Sequence, residues 1–328
     1  MKIMNITGNR ALKFAKDWIL PISMASGIIL YLIYHWLPEI HAIGPAVHKG
    51  AIILQPILIF VMLFLQFNKI SPHDLKLRWW HLAIAAAQGG IFLALAYIVY
   101  SMQVGLARTI AECAMLCFIT PTAAAAGVIT EKLGGSLTET MSYVVIANCM
   151  AALLVPSVIP FLHPTDGRSF LAAMWMISAK VFPMLIMPCI AAWIVRYTFR
   201  KMQVFLMRYT GMAFYLWSFS LVISLALTTR TFLLSHMPVY SALIIGIVSL
   251  ICCIMQFWLG QKIGNSWDKP TSVTAGQSFG QKNTVFEIWL GYTFLTPETS
   301  ICGGFYCIWH NLVNSWELLQ AQNTTHRS

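Results

Sequence analysis

The chain has 328 residues, 58% of them hydrophobic and only 10% charged, with a mean hydropathy of +0.71, whereas an average soluble domain is about 25% charged. These values exclude a soluble globular domain, and 19 Phe, 12 Trp and 11 Tyr exclude intrinsic disorder, because that much aromatic surface cannot stay solvated. The net charge of +10 comes from Lys and Arg scattered between apolar runs, which speaks against a nucleic acid partner and for the topology of a membrane protein.

Apolar runs of about twenty residues, enough for a helix to cross roughly 30 Å of hydrocarbon, exclude a barrel of alternating strands. In chain order they predict spans at 18–36, 48–67, 80–102, 107–131, 137–162, 170–197, 206–229, 239–261, 272–296 and 299–320. The first is of spanning length and continues into further spans, so it reads as a membrane helix and not as a cleavable signal peptide. Ten spans with both termini inside put 15 of the 21 Lys and Arg in cytoplasmic segments, from Lys2, Arg10, Lys13 and Lys16 through Lys69, Arg78 and Lys132 to Arg327. Only Lys49, Arg108, Arg168 and Arg230 fall outside, and Lys180 and Lys282 are left within the membrane. The expected location is a plasma membrane of the bacterial inner-membrane type, with the lipid bilayer as partner.

Five spans per half is an odd number, so halves 1–162 and 163–328, although no direct identity between them is obvious, would insert with opposite orientation if they are homologous. The fourth span is interrupted by Pro121-Thr122, the alanines 123–126 and Gly127, and the ninth by Ser278-Phe279-Gly280-Gln281-Lys282-Asn283. Interrupted spans expose backbone groups that must line a cavity or meet protein, which marks binding sites; a simple proline kink or a glycine packing notch is the plainer reading of either segment alone.

Lys180 lies roughly 16 Å into the sixth span at 1.5 Å per residue, beyond easy snorkelling, and is expected to face a cavity or to pair with an acid. Glu112, Glu139, Glu287 and Glu298 are also within or beside spans, with Glu139 and Glu298 the candidate proton carriers. The eight cysteines (113, 117, 149, 189, 252, 253, 302, 307) form no CxxC pair, so disulfides and thiolate metal sites are not expected. His35, His41 and His48 lack metal-site spacing and read as solvated. No cofactor, nucleotide fingerprint, HExxH or Ser/His/Asp set is present, which speaks against an enzyme.

Taken together, Gly280-Gln281-Lys282-Asn283, Phe294, Pro297 and Trp309-His310-Asn311 with Ser315 are similar to the G-x-Q-N, F-x-x-x-P and W-H-N-x-x-G-S signature of the bile acid:sodium symporter family, with two residues fewer between the Asn and the Pro. Pro121, Gly135 and Pro156 keep that family's spacing in the other half. The resemblance implies ten helices in two inverted repeats. Spans 1, 2, 6 and 7 would form a panel domain, and spans 3, 4, 5, 8, 9 and 10 a core domain in which spans 4 and 9 are broken and cross. It implies secondary transport of an organic anion by alternating access, either a bile-acid-like compound or a small carboxylate.

The family's sodium ligands are largely replaced. The ninth-span Glu and Gln fall on Ser278 and Lys282, the fourth-span Ser-Asn pair on Ala126-Gly127, and the fifth-span hydroxyls on Thr140 and Val144; Gln88 keeps the third-span position after a one-residue shift. Sodium binding is therefore doubtful. One Glu with two sodium ions and Ser278 with a protonated Lys282 have the same formal charge, so Lys282 is expected to stand in for the cations, with proton coupling as an option or a fixed pair with Glu139 or Glu298 as the plainer one. The substrate and ion candidates are Lys282, Asn283, Ser278, Gln281, Gln88, Gly127, Thr140 and Lys180. His310 is expected to pack and hydrogen-bond. A sensor that has lost transport, a channel, a sodium symporter with an altered site and homo-oligomer formation stay open.

Overall fold

The computed structural model describes residues 19–164, 167–209, 211–235 and 237–325. The basic residues before position 19 and Arg327 lie outside them. Among the described residues the protein is all-α, with fourteen helices and two short 3-10 turns at Pro38–Ile43 and Pro72–Asp74. The helices are α1 (Ile19–Trp36), α2 (Gly44–Phe67), α3 (Trp79–Ser101), α4 (Leu106–Ile119), α5 (Ala126–Lys132), α6 (Leu137–Leu162) and α7 (Phe170–Leu185). They continue with α8 (Met187–Thr198), α9 (Arg200–Met207), α10 (Met212–Leu234), α11 (Val239–Gly264), α12 (Lys269–Gly280), α13 (Thr284–Phe294) and α14 (Pro297–Thr325). Five are long and apolar enough to cross a membrane: α2 with its leading turn, α3, α6, α10 and α11. The pair α7 and α8, bent by 42°, makes a sixth. The protein is membrane-embedded and multi-pass.

Two predicted segments need correction. The sixth is bent at Ile186 between α7 and α8. The seventh, predicted at 206–229, is α10 and begins six residues later. The preceding Arg200–Met207 forms α9, whose side chains, Arg200 and Lys201 included, are half-buried or exposed, so charge keeps this stretch out of the long helix.

Local chemistry sets the helix ends. Ser136, Ser169 and Asp268 accept hydrogen bonds from the backbone N–H of Glu139, Ala172 and Thr271 at the starts of α6, α7 and α12. The hydrogen bonds from Thr271 hold the exposed Asp268 carboxyl below its usual range. Thr120 precedes Pro121, is driven out of the helical region (ψ 125°) and ends α4.

The helices pair as α1 with α10, α2 with α8 and α10, α3 with α4, α6 with α7, α11 with α12 and α13 with α14. A close backbone approach joins α11 and α12. Gly260 and Gly264, four residues apart on α11, lie against the backbone of α12, and a Cβ on Gly260 would stand 2.6 Å from the Ala275 carbonyl oxygen. Small residues at that spacing let two helices meet backbone to backbone, the main source of helix association in lipid. Gly260→Val is therefore expected to cost about 2 kcal/mol through overpacking, read as a lower Tm of the protein in nanodiscs. Gly90→Ala, which meets open space within α3, is expected not to lower Tm.

Candidate functional site

The helix pairs α4/α5 and α12/α13 are both interrupted, and the two interruptions lie side by side. Thr122 and Lys282 form an antiparallel bridge, with Ala123 N donating to Gln281 O at 2.9 Å and Asn283 N donating to Pro121 O at 2.8 Å. The Thr122 hydroxyl donates to Ser278 O at 2.6 Å. Buried side chains meet further freed carbonyls. Tyr306 OH donates to Gly280 O at 2.9 Å, the Gln88 amide to Thr120 O at 3.4 Å, and the Gln256 amide to Cys117 O at 3.4 Å. Tyr143 OH, donating to Gln88 Oε1 at 2.7 Å, fixes the Gln88 amide. An unpaired backbone group in an apolar interior costs several kcal/mol, so each of these contacts is required where a helix breaks.

Lys282 and Glu287 sit inside this frame. Both are fully buried, and neither Lys282 Nζ nor either Glu287 oxygen has a hydrogen-bond partner. Nζ lies 5.0 Å from the centre of the Phe279 ring, a cation–π contact, and Glu287, in the first turn of α13, is within electrostatic reach. Ser278 Oγ and Gln281 Oε1 are likewise buried and unpaired, while the Gln281 amide donates to Gln277 Oε1. Asn283 caps α13, its side chain accepting from Phe286 N at 3.3 Å.

A cavity of about 420 Å³ opens beside the crossing, and Asn283 and Ala123–Ala125 form part of its wall. Ile59, Met62 and Leu63 from α2 and Tyr215 and Trp217 from α10 face them, and Lys69 and Lys132 are at the same cavity. Burial pushes the Lys69 ammonium pKa down, and Glu131 partly offsets this.

The sequence candidates do not all meet here. Lys282, Asn283, Ser278, Gln281 and Gln88 share the crossing. Thr140 is buried but spends its hydroxyl on Ser136 O of its own chain turn at 3.0 Å, and Gly127 packs against Leu137 of α6. Lys180 is exposed, lies 5.3 Å over the Phe294 ring and does not line the cavity. Glu139 is not an unpaired intramembrane acid: it stands in the first turn of α6 and pairs with Arg78 at 2.9 Å. Its carboxylate there also complements the helix N-terminus. Glu298, in the first turn of α14, is half-buried and does not pair with Lys282 among the described residues. Glu112 binds Arg108 and His163 at 3.0 Å each and Thr299 at 3.2 Å. His310 packs on Tyr306 at 5.8 Å and neither ring nitrogen has a hydrogen-bond partner, while His48 is not simply solvated but bonds Tyr292 OH at 3.0 Å.

Sequence reasoning missed Glu287 as the acid facing Lys282, although it had been noted within the span. It missed Tyr143, Gln256 and Tyr306, whose partners are distant in sequence. It also found no cysteine pair by spacing, whereas Cys117 and Cys302 bring their sulfurs to 3.3 Å. Among known proteins, no family model matches the chain, and no curated protein matches it.

Thr122→Val keeps the shape of the residue and removes its bond to Ser278 O. Amide hydrogen exchange at Ala123 and Asn283 is expected to speed up in this variant by about tenfold, the equivalent of one hydrogen bond of about 1.4 kcal/mol, and to return to the wild-type rate in Thr122→Ser.

Proposed function

We propose that the protein is a secondary transporter of an organic anion that works by alternating access around the crossing of α4/α5 with α12/α13. The observation that carries this reading is the pairing of two interrupted helices at a cavity with a buried, unpaired lysine in the pairing segment. In this reading ten spans form two inverted repeats, 1–162 and 163–328. The panel of spans 1, 2, 6 and 7 rocks against the core of spans 3, 4, 5, 8, 9 and 10, and the α2 and α10 wall of the cavity belongs to the panel.

The cavity chemistry suits a carboxylate with an apolar body. Lys69 and Lys132 supply positive charge, Asn283 and the break backbone supply polar groups, and Met62, Tyr215 and Trp217 supply apolar surface. The family resemblance points to the same substrate class.

Sodium is not the favoured coupling ion. It needs several hard oxygen ligands, and of the positions that correspond to the family's ligands Ala126, Gly127 and Val144 carry no side-chain oxygen. An ammonium at Lys282 repels a further cation, and it supplies the positive charge that sodium supplies in the family. Its place at the carbonyl end of α12 is electrostatically favourable.

The test is uptake of a panel of organic anions into proteoliposomes holding wild type or Lys282→Ala, with sodium and pH gradients imposed separately. Uptake is expected to ignore the sodium gradient and to fall at least about tenfold in Lys282→Ala, a loss of about 1.4 kcal/mol. Uptake driven by the pH gradient assigns coupling to protons. Uptake that follows sodium overturns the assigned role of Lys282, and no flux of any anion in the panel favours a ligand sensor.

A further inference from the structure

Cysteines from three helices converge on the buried carboxylate of Glu287. Cys113 and Cys117 come from α4, Cys252 from α11 and Cys302 from α14, and all are buried. Cys117 Sγ and Cys302 Sγ stand 3.3 Å apart, and these two sulfurs and a Glu287 carboxylate oxygen all lie within 4.8 Å of one another. Cys252 is within hydrogen-bonding reach of the Cys117 thiol.

Two independent features point to a ligand. The first is the convergence of two thiols and a carboxylate on one point. The second is that Glu287, fully buried, makes no ion pair among the described residues and has only the Cys117 thiol and the more distant Lys282 charge near it, a costly arrangement for a buried carboxylate. We propose that Cys117, Cys302 and Glu287 bind a thiophilic divalent metal ion of the zinc type, clamping α4, α13 and α14 together beside the helix crossing.

The geometry is near what such an ion needs. Two thiolates on tetrahedral zinc bind at about 2.3 Å and stand about 3.8 Å apart, so the two sulfurs have to separate by about half an ångström. Cys252 stands next to Cys117 without joining the donor set. The charges also close. Two thiolates and a carboxylate carry three negative charges, the metal brings two positive ones, and a protonated Lys282 cancels the remainder, so the buried assembly is formally neutral. Binding releases the two thiol protons to solvent, and no oxidant or reductant is involved. Mixed sulfur and oxygen donors suit zinc and its analogues over the hard ions magnesium and calcium. This inference does not rest on the transport reading.

The experiment is a Co²⁺ titration of the reduced, chelator-stripped full chain in nanodiscs. About one equivalent is expected to give thiolate-to-cobalt charge-transfer absorption and the intense visible bands of a tetrahedral ion, both abolished by Zn²⁺. Cys117→Ser and Cys302→Ser are expected to lose the charge-transfer band, Glu287→Gln to weaken binding at least about tenfold, and Cys149→Ser, outside the cluster, to behave as wild type. Absence of the band in wild type overturns the proposal, as does a band that survives in Cys117→Ser and Cys302→Ser. If those variants do not fold, X-ray absorption at the zinc edge of the wild type decides. About two sulfur scatterers near 2.3 Å support the site, and a shell of nitrogen and oxygen alone overturns it.

Discussion

The structure depends on one constraint: inside an apolar bundle, backbone groups released by a broken helix must find partners within the protein. Each of the two breaks frees N–H and C=O groups, and placing them antiparallel lets each satisfy the other. Ala123 and Asn283 donate across the gap to Gln281 and Pro121. The carbonyls that this pairing leaves over are met by Thr122, Tyr306, Gln88 and Gln256. Four buried polar side chains, three from separate helices (α3, α11 and α14) and one from the break itself, are thus explained by a single backbone problem. The arrangement also ties the first half of the chain to the second at the centre of the bundle, where neither break is tolerable without the other.

Extended backbone at the break divides the roles of neighbouring residues. Successive side chains along an extended segment point to opposite sides. Asn283 accordingly lines the cavity, while Lys282 lies in the packed interior, over Phe279 and within electrostatic reach of Glu287. Lys282 is therefore not part of the cavity wall, whose polar side chains include Asn283, Lys69 and Lys132. A lone charge in such an interior costs several kcal/mol, so Lys282 and Glu287 offset each other even without a direct ion pair.

The sequence made some of this legible and not the rest, for physical reasons. Helix positions followed from apolar length, and the breaks from Pro121, which forces Thr120 out of the helix, and from the polar run at 278–283. The start of α10 was misplaced because Phe205, Leu206 and Met207 extend the apolar run, although Arg200, Lys201 and Arg208 around them hold that stretch in a separate exposed helix. Lys282 stood out as a charge in an apolar run. Its counterpart Glu287 did not, because four acids were candidates and only packing decides between them. Arg78 took Glu139 out of contention from 61 positions away, and Arg108 and His163 did the same for Glu112. The thiol cluster was invisible for the same reason: Cys117 and Cys302 are 185 residues apart and match no local spacing rule.

The composition of the α4/α5 break then has a reason beyond helix interruption. Ala123, Ala124 and Ala125 all line the cavity, and side chains no larger than a methyl group keep its volume open and leave the backbone itself as the wall. That backbone is the segment hydrogen-bonded to Gln281 and Asn283. A molecule held in the cavity thus rests on the crossing on one side and on α2 and α10 on the other. Any displacement of α2 and α10 relative to the crossing changes the shape of the cavity while the backbone pairing stays intact. If the proposed alternating access operates, the hydrogen bonds that satisfy the breaks would hold one wall fixed and the movement would fall to the opposite wall, where the apolar contacts of Ile59, Met62, Leu63 and Trp217 have no fixed direction.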